Sequence, residues 1–171
     1  ITFTIALTLP CSTPGGIDVL KVVDEPTAAS YVLGITDGVV VDLGGGTTGI
    51  SILEKGKVVF VADEPTGGTH MTLVLAGSYG VDFETAEDIK TDKKKEKEVF
   101  VQITPVLQKM ASIVKKYIKD YKVKDVYLVG GACSFDESES IFKKELGLNI
   151  YKPYMPVYIT PLGIALAGIK D

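Results

Sequence analysis

Soft metal ligands are scarce in this chain: 171 residues include two cysteines and one histidine. Cys11 and Cys133 stand far apart, with no CxxC pair and no neighbouring histidine, which excludes a zinc-ligand pattern and a disulfide framework. Buried free thiols in a reducing compartment fit that usage, so we expect a cytoplasmic protein. Basic charge is not in excess either. Lys and Arg number 18 against 22 Asp and Glu, a net −4, the wrong sign for a general nucleic-acid binder, which carries a basic face. The apolar opening Ile1–Pro10 is too short to span a bilayer and lacks the basic flank of a signal peptide. Low-complexity tracts and internal domain repeats are missing. The tetrapeptide Asp-Glu-Pro-Thr recurs at 24–27 and 63–66, in surroundings so different that the repeat reads as coincidence. There is no initiating methionine, and we expect the natural N-terminus to lie upstream.

What is present is the composition of one globular domain, 46% hydrophobic and 23% charged, with a real core and too little chain for two ordinary domains. Its organising stretch runs from Val39 to Ile52: an apolar run ending in Asp42, a turn of three glycines and two threonines, then a second apolar run in alternation. Gly44, Gly45 and Gly46 let the backbone approach a ligand, and the N–H groups of such a turn form a nest for phosphate oxygens. Thr47 and Thr48 add hydroxyl donors. Asp42 beside that nest would repel a bare phosphate, so it makes sense there when a divalent cation bridges the two.

Along the chain, Ile1–Pro10 alternates as a strand, Pro10–Gly16 is a breaker-rich turn, and Val19–Val23 reads as a second strand. Two strands so closely linked can pair as a hairpin but not in parallel. Glu25-Pro26 opens a helix that ends at Gly34. Three strands follow, Val39–Leu43, Thr48–Leu53 and Lys57–Ala62, the last two joined at Glu54-Lys55-Gly56, which makes an antiparallel meander. Helices are expected at Met71–Tyr79, Phe83–Lys90 and Glu98–Tyr121, the last with apolar residues at helical spacing and with Pro105 bending or restarting it. A strand at Asp125–Val129, a helix at Phe135–Leu146, a short strand at Asn149–Tyr151 and a helix from Pro161 complete the order. A meander followed by two crossovers is the order of a ribonuclease-H-like α/β domain, a mixed sheet with flanking helices.

Gly44-x-Gly46-x-x-Gly49 also fits the dinucleotide-binding pattern, with Asp63 near the place of a ribose-binding acid. That pattern needs a helix after the third glycine. Only Ile50–Lys55 separate Gly49 from Gly56, and Ile50 and Ile52 alternate as in a strand, so an NAD-dependent oxidoreductase is disfavoured. A Walker A loop fails because no Lys-Ser or Lys-Thr pair follows the glycines. His70 reads as a surface or capping residue and Cys133 as a small residue beside a turn.

Asp42-Leu-Gly-Gly-Gly-Thr-Thr48 resembles the second phosphate loop of the actin, Hsp70 and sugar-kinase superfamily. Four further stretches are similar to that superfamily in its own order: Glu25-Pro-Thr-Ala-Ala29, the segment crossing between lobes; Ala86-Glu-Asp-Ile-Lys90, a ribose-binding helix; Val129-Gly-Gly-Ala132, an adenosine loop; and Thr160-Pro-Leu-Gly-Ile-Ala165, a connecting helix. Asp63–Met71 and Leu75–Tyr79 resemble the EutJ family of ethanolamine-utilisation proteins, chaperonin-like members encoded with microcompartment genes. The resemblance implies an actin-like ATPase domain that binds ATP or ADP with Mg²⁺. It implies that Gly44, Gly45, Gly46, Thr47 and Thr48 hold the β- and γ-phosphates, that Gly67 and Gly68 belong to the nucleotide site, and that Glu87 and Lys90 hold ribose. Gly130, Gly131 and Ala132 would pass under adenosine, and Asp42 and Glu25 would act on the metal through water. Partners would be nucleotide and protein clients or microcompartment proteins. An actin-like scaffold or filament protein is the alternative. The superfamily's other phosphate loop, of the Asp-x-Gly-Thr type, does not occur upstream of Val39. We therefore expect residues 1–34 to be the remnant of a first lobe with its crossing helix, and residues 35–171 to be the second lobe.

Overall fold

The computed structural model of the chain describes residues 4–10 and 17–168; Cys11 and the turn at 11–16 lie outside the described residues. In order the elements are β1 (Thr4–Pro10), β2 (Ile17–Val23), α1 (Glu25–Leu33), β3 (Gly38–Leu43), β4 (Thr48–Glu54), β5 (Lys57–Glu64), α2 (Gly68–Tyr79), α3 (Phe83–Thr91), α4 (Glu96–Ile118), β6 (Asp125–Val129), α5 (Ser138–Leu146), β7 (Asn149–Tyr151) and α6 (Ile159–Ala167). β1 and β2 form a separate antiparallel pair, the arrangement that their short link requires.

The main sheet has the order β5-β4-β3-β6-β7. β3, β4 and β5 are the antiparallel meander, and β6 and β7 add in parallel on the other side of β3. β3 is buried at all six positions, which is why Val39–Val41 is a continuous apolar run and not an alternating one. Its odd residues Val39, Val41 and Leu43 join Ile50, Ile52, Val126 and Leu128 in one core with Met71 and Leu75 of α2 and the apolar stripe of α4. Val40 faces the opposite way, into a smaller cluster with Ala29 of α1, Leu53, Val129 and Ile159 of α6. The sheet is thus covered on both faces, α2 to α4 on one and α1 with α6 on the other. α1 and α6 cross at Gly163, where a Cβ would stand 2.0 Å from the Ala28 carbonyl oxygen; only a residue without a side chain permits that backbone contact.

Capping chemistry sets the helix ends. Asp24 accepts the Thr27 N–H at 2.9 Å at the start of α1, and Gly34 ends that helix in the left-handed region at φ 63. Three expectations change. α4 runs unbroken through Pro105: the proline and Val101, four residues before it, lie on the exposed face, where water takes over the carbonyl that loses its partner. Tyr121 lies beyond that helix and packs against Phe60 with the rings tilted by 47° and their centres 5.8 Å apart. α2 begins at Gly68 and not at Met71, for a reason found in the glycine turn.

Candidate functional site

The glycine turn joins β3 to β4 and is closed by the Gly44 N–H donating to the Thr47 carbonyl at 3.0 Å. Gly45 and Gly46 form its exposed tip. Two of its carbonyls face α2: Gly68 N–H donates to Gly44 O at 2.9 Å and Thr69 N–H to Gly45 O at 2.7 Å. A helix's first N–H groups lack intrahelical partners, and here the loop supplies them, so the helix can start before its first apolar residue. His70 has a capping role, its Nδ1 accepting from Gly67 N–H at 3.2 Å. Thr48 is fully buried and its hydroxyl donates to the Thr66 carbonyl at 2.6 Å. That hydrogen bond ties β4 to the segment ahead of α2. Gly68 likewise lines the site with its N–H already committed.

Asp42 is the penultimate residue of β3 and 5% exposed. Thr160 of α6 donates to its Oδ2 at 2.5 Å. Burial pushes its carboxyl up to about 6; the Thr160 hydrogen bond opposes this, and the nearby charges of Glu25 and Asp63 add to it. Register explains the crowding. Asp42 pairs with Gly49, and Gly49 pairs with Asp63 on the far side, while Pro26, next to Glu25, rests on Gly49 with its Cδ 3.1 Å from where a Cβ would be. Gly130, at φ +90, passes behind Asp42 so closely that a Cβ would stand 2.4 Å from Oδ1 and 2.5 Å from the Leu43 carbonyl. Cys133 donates its thiol to the Gly130 carbonyl at 3.1 Å and is pushed by burial up to about 12, so it is a neutral buried thiol and no nucleophile.

Beside the loop lies a cavity of about 410 Å³, walled by Gly44 and Gly45, Gly68 and Met71 of α2, Glu87 and Lys90 of α3 with the residues that follow it, Glu96, and Gly131, Ala132, Ser134 and Phe135 with Val157. Lys90 Nζ is 2.7 Å from Glu87 Oε2 and 2.8 Å from Thr72 Oγ1, and Thr72 donates to the same carboxylate oxygen at 2.6 Å. Burial alone would push the Glu87 carboxyl up, but hydrogen bonds from Lys90 and Thr72 and the lysine charge hold it below its ordinary range. The triad is neutral overall and ties α2 to α3.

The structure therefore brings Gly44, Gly45, Gly68, Glu87, Lys90, Gly131 and Ala132 into one cavity wall. Asp42 is not part of that wall; it lies near Glu25 and against Gly130. Gly67 packs under the loop tip, where a Cβ would stand 2.6 Å from Gly45 O. Sequence reasoning missed Thr72 and gave Thr160 no role, although each hydrogen-bonds a candidate carboxylate, Glu87 and Asp42; a lone threonine inside a helix carries no signal of that. The apolar lining from Met71, Phe135 and Val157 was also unread. Among the described residues no group of three or more His, Cys, Asp or Glu is arranged to hold a metal. Mg²⁺ needs no such cage: it keeps its waters and takes one or two carboxylates with phosphate oxygens, and the crowded carboxylates of Asp42 and Glu25 fit a hydrated cation.

The family described as "Cell division protein FtsA" matches residues 39–165. The ethanolamine utilization protein EutJ of Escherichia coli (strain K12) is 41% identical over 154 residues, 90% of this chain and 55% of that protein. The crystal structure of EutJ from Carboxydothermus hydrogenoformans superposes with a TM-score of 0.80 at 52% identity, covering 84% of this chain and 54% of that one. A PilM-PilN type IV pilus biogenesis complex shares the fold at a TM-score of 0.72 and 22% identity, over 92% of this chain and 54% of that one. The chain spans about half the length of the curated relatives it matches. With three-quarters of its residues inside that family match and the sheet order, glycine turn and flanking helices all in place, the chain belongs to the FtsA family of actin-like ATPase folds, within the actin, Hsp70 and sugar-kinase superfamily, and is similar to EutJ.

Proposed function

We propose that the chain binds ATP or ADP with Mg²⁺ as the second lobe, residues 35–171, of a chaperone-like ATPase serving ethanolamine utilisation in the cytoplasm. Its partners in this reading are protein clients or microcompartment proteins, and residues 1–34 belong to a first lobe and the crossing helix. One observation carries the reading: four separated stretches, the glycine turn, the start of α2, the Glu87–Lys90 pair and the Gly131-Ala132 turn, meet around a single cavity.

In this reading Gly45, Gly46 and Thr47 turn backbone N–H groups and a hydroxyl toward the β- and γ-phosphates, while Thr48 holds their loop in shape. Glu87 and Lys90 take the ribose hydroxyls, and Gly131 and Ala132 pass beneath adenosine. Asp42 and Glu25 orient the waters of the cation. Mg²⁺, when bound, supplies the positive charge that lets a carboxylate and a polyphosphate share one site. Phosphoryl transfer requires the γ-phosphate to be gripped from both sides with an aligned water. This chain offers one side, so it binds nucleotide weakly and turns it over slowly.

The test is thermal unfolding of the 171-residue chain with Mg-ADP, Mg-ATP or NADH. A ligand that binds the folded state alone stabilises it by about 1.4 kcal/mol at ten times its Kd, a shift of a few degrees in a domain of this size. The reading expects that shift with Mg-ADP and Mg-ATP. Stabilisation by NADH alone would overturn it in favour of the oxidoreductase.

A further inference from the structure

The turn that leaves β6 occupies residues 130–137, between that strand and the start of α5 at Ser138, and gives Gly131, Ala132, Ser134 and Phe135 to the cavity wall. Its backbone lies outside the sheet and the α-helices, so its buried polar groups need partners of another kind. The fully buried Ser138 hydroxyl stands 2.7 Å from the Cys133 carbonyl and 2.8 Å from the Phe135 carbonyl, but it has one proton for the two. The Phe135 carbonyl has a second donor, Lys152 Nζ at 2.7 Å, from the residue that follows β7. At the other end of the same peptide group, the Asp136 N–H donates to Glu96 Oε1 at 2.9 Å. Glu96 is the first residue of α4 and itself lines the cavity.

One peptide group is therefore held by a cation at its carbonyl and by a carboxylate at its amide. Both are charge-assisted hydrogen bonds, the stronger kind, and both charges match the ends of the peptide's own dipole. The Lys152 side chain is only 13% exposed, with the Glu139 carboxylate 3.9 Å away. Burying an ammonium costs hydration that only fixed acceptors offset, and the nearest acceptor here is the Phe135 carbonyl. The Phe135 ring is buried, lines the cavity and packs against Phe100 with ring centres 6.3 Å apart. We propose that Lys152, together with Glu96, is a positioning residue for nucleotide: the two charges clamp the Phe135–Asp136 peptide and so set the Phe135 ring against the base. The inference rests on the nucleotide reading above, and in it Lys152 touches no ligand and acts through Phe135.

NMR titration of the 171-residue chain with Mg-ADP and, in parallel, with Mg-pyrophosphate, which carries phosphates and no base, tests this. Lys152→Met keeps the bulk of the side chain and removes its donors. It should weaken Mg-ADP binding by roughly tenfold, the worth of one hydrogen bond to a charged group, and leave Mg-pyrophosphate binding unchanged. Lys152→Gln, which keeps a neutral donor, should lose only about threefold. Phe135→Leu should also weaken Mg-ADP alone, and adding Lys152→Met to it should cost nothing more, because residues that act through one another are not additive. Far-UV circular dichroism and thermal melting will confirm that each variant is folded. Equal weakening of both ligands by Lys152→Met, or full additivity with Phe135→Leu, would mark the lysine as merely structural and overturn the inference. Mg-ADP binding that Lys152→Met leaves unchanged would overturn this inference alone, whereas an unaltered chain that does not bind Mg-ADP would overturn the nucleotide reading and the inference with it.

Discussion

At the cavity end of the site Lys90, Glu87 and Thr72 satisfy one another within 2.8 Å, whereas at the loop's other end Asp42 is buried with the charges of Glu25 and Asp63 close by. One end is neutral and preformed. The other carries negative charge whose ionised form the fold itself opposes. The difference teaches where binding energy would come from in the proposed site: the cavity end contributes shape and fixed donors, and the Asp42 end contributes affinity for positive charge. The Thr160 hydrogen bond works against the upward push on Asp42.

The sharpest break in this comparison is at Gly130, which packs against Asp42 and Leu43 and precedes Gly131 of the cavity wall. Gly130→Val places a side chain into Asp42 Oδ1 and Leu43 O at a positive φ, and we expect a loss of at least ~3 kcal/mol in urea unfolding, since strain and overpacking add. Asp42→Asn comes next and has the opposite sign. Burial pushes the folded carboxyl up to about 6 from an ordinary 3.8, so the folded state binds its proton more tightly than the unfolded state. Stability should therefore fall as pH rises from about 4 to 6, by up to ~3 kcal/mol. Asp42→Asn should remove that slope and leave the protein more stable at pH 7 by ~2 kcal/mol, while abolishing any advantage of Mg-ADP over ADP alone. A variant with an unchanged pH profile would refute the electrostatic account of that end.

Lys90→Ala tests the neutral end. Removing a charge-assisted partner of Glu87 should weaken Mg-ADP binding by roughly tenfold in calorimetry, in proportion to one hydrogen bond to a charged group. Its effect on stability should be small, because half-exposed ion pairs contribute under ~1 kcal/mol. The mildest change is Thr160→Val. Losing the donor to Oδ2 should move the Asp42 midpoint further upward in a carbon-detected NMR titration, with the fold intact; a downward move would show that Thr160 is not what restrains it.

Much of the fold was legible because its determinants are local. The meander announced itself in β-branched runs and the Lys55-Gly56 turn, α4 in its apolar spacing, and α1 in Glu25-Pro26 and Gly34. The element ends that were misjudged depend on distant atoms. α2 starts at Gly68 because Gly44 and Gly45 carbonyls wait for its N–H groups, and α4 survives Pro105 because that face is wet. Of the site, glycines and charged pairs could be found by pattern, but the threonines that hold Asp42 and Glu87 in place could not.

The two copies of Asp-Glu-Pro-Thr mark the boundary between what each level decides. In the first, Asp24 caps α1 and Thr27 lies inside it; in the second, Asp63 and Glu64 finish β5 and the Thr66 carbonyl receives Thr48. The sequence by itself determined the strands, helices and turns, since periodicity and capping act over a few residues. Only the tertiary structure decided that Glu25 of one copy and Asp63 of the other converge on Asp42, because that meeting depends on the register of three strands and on Pro26 resting against Gly49.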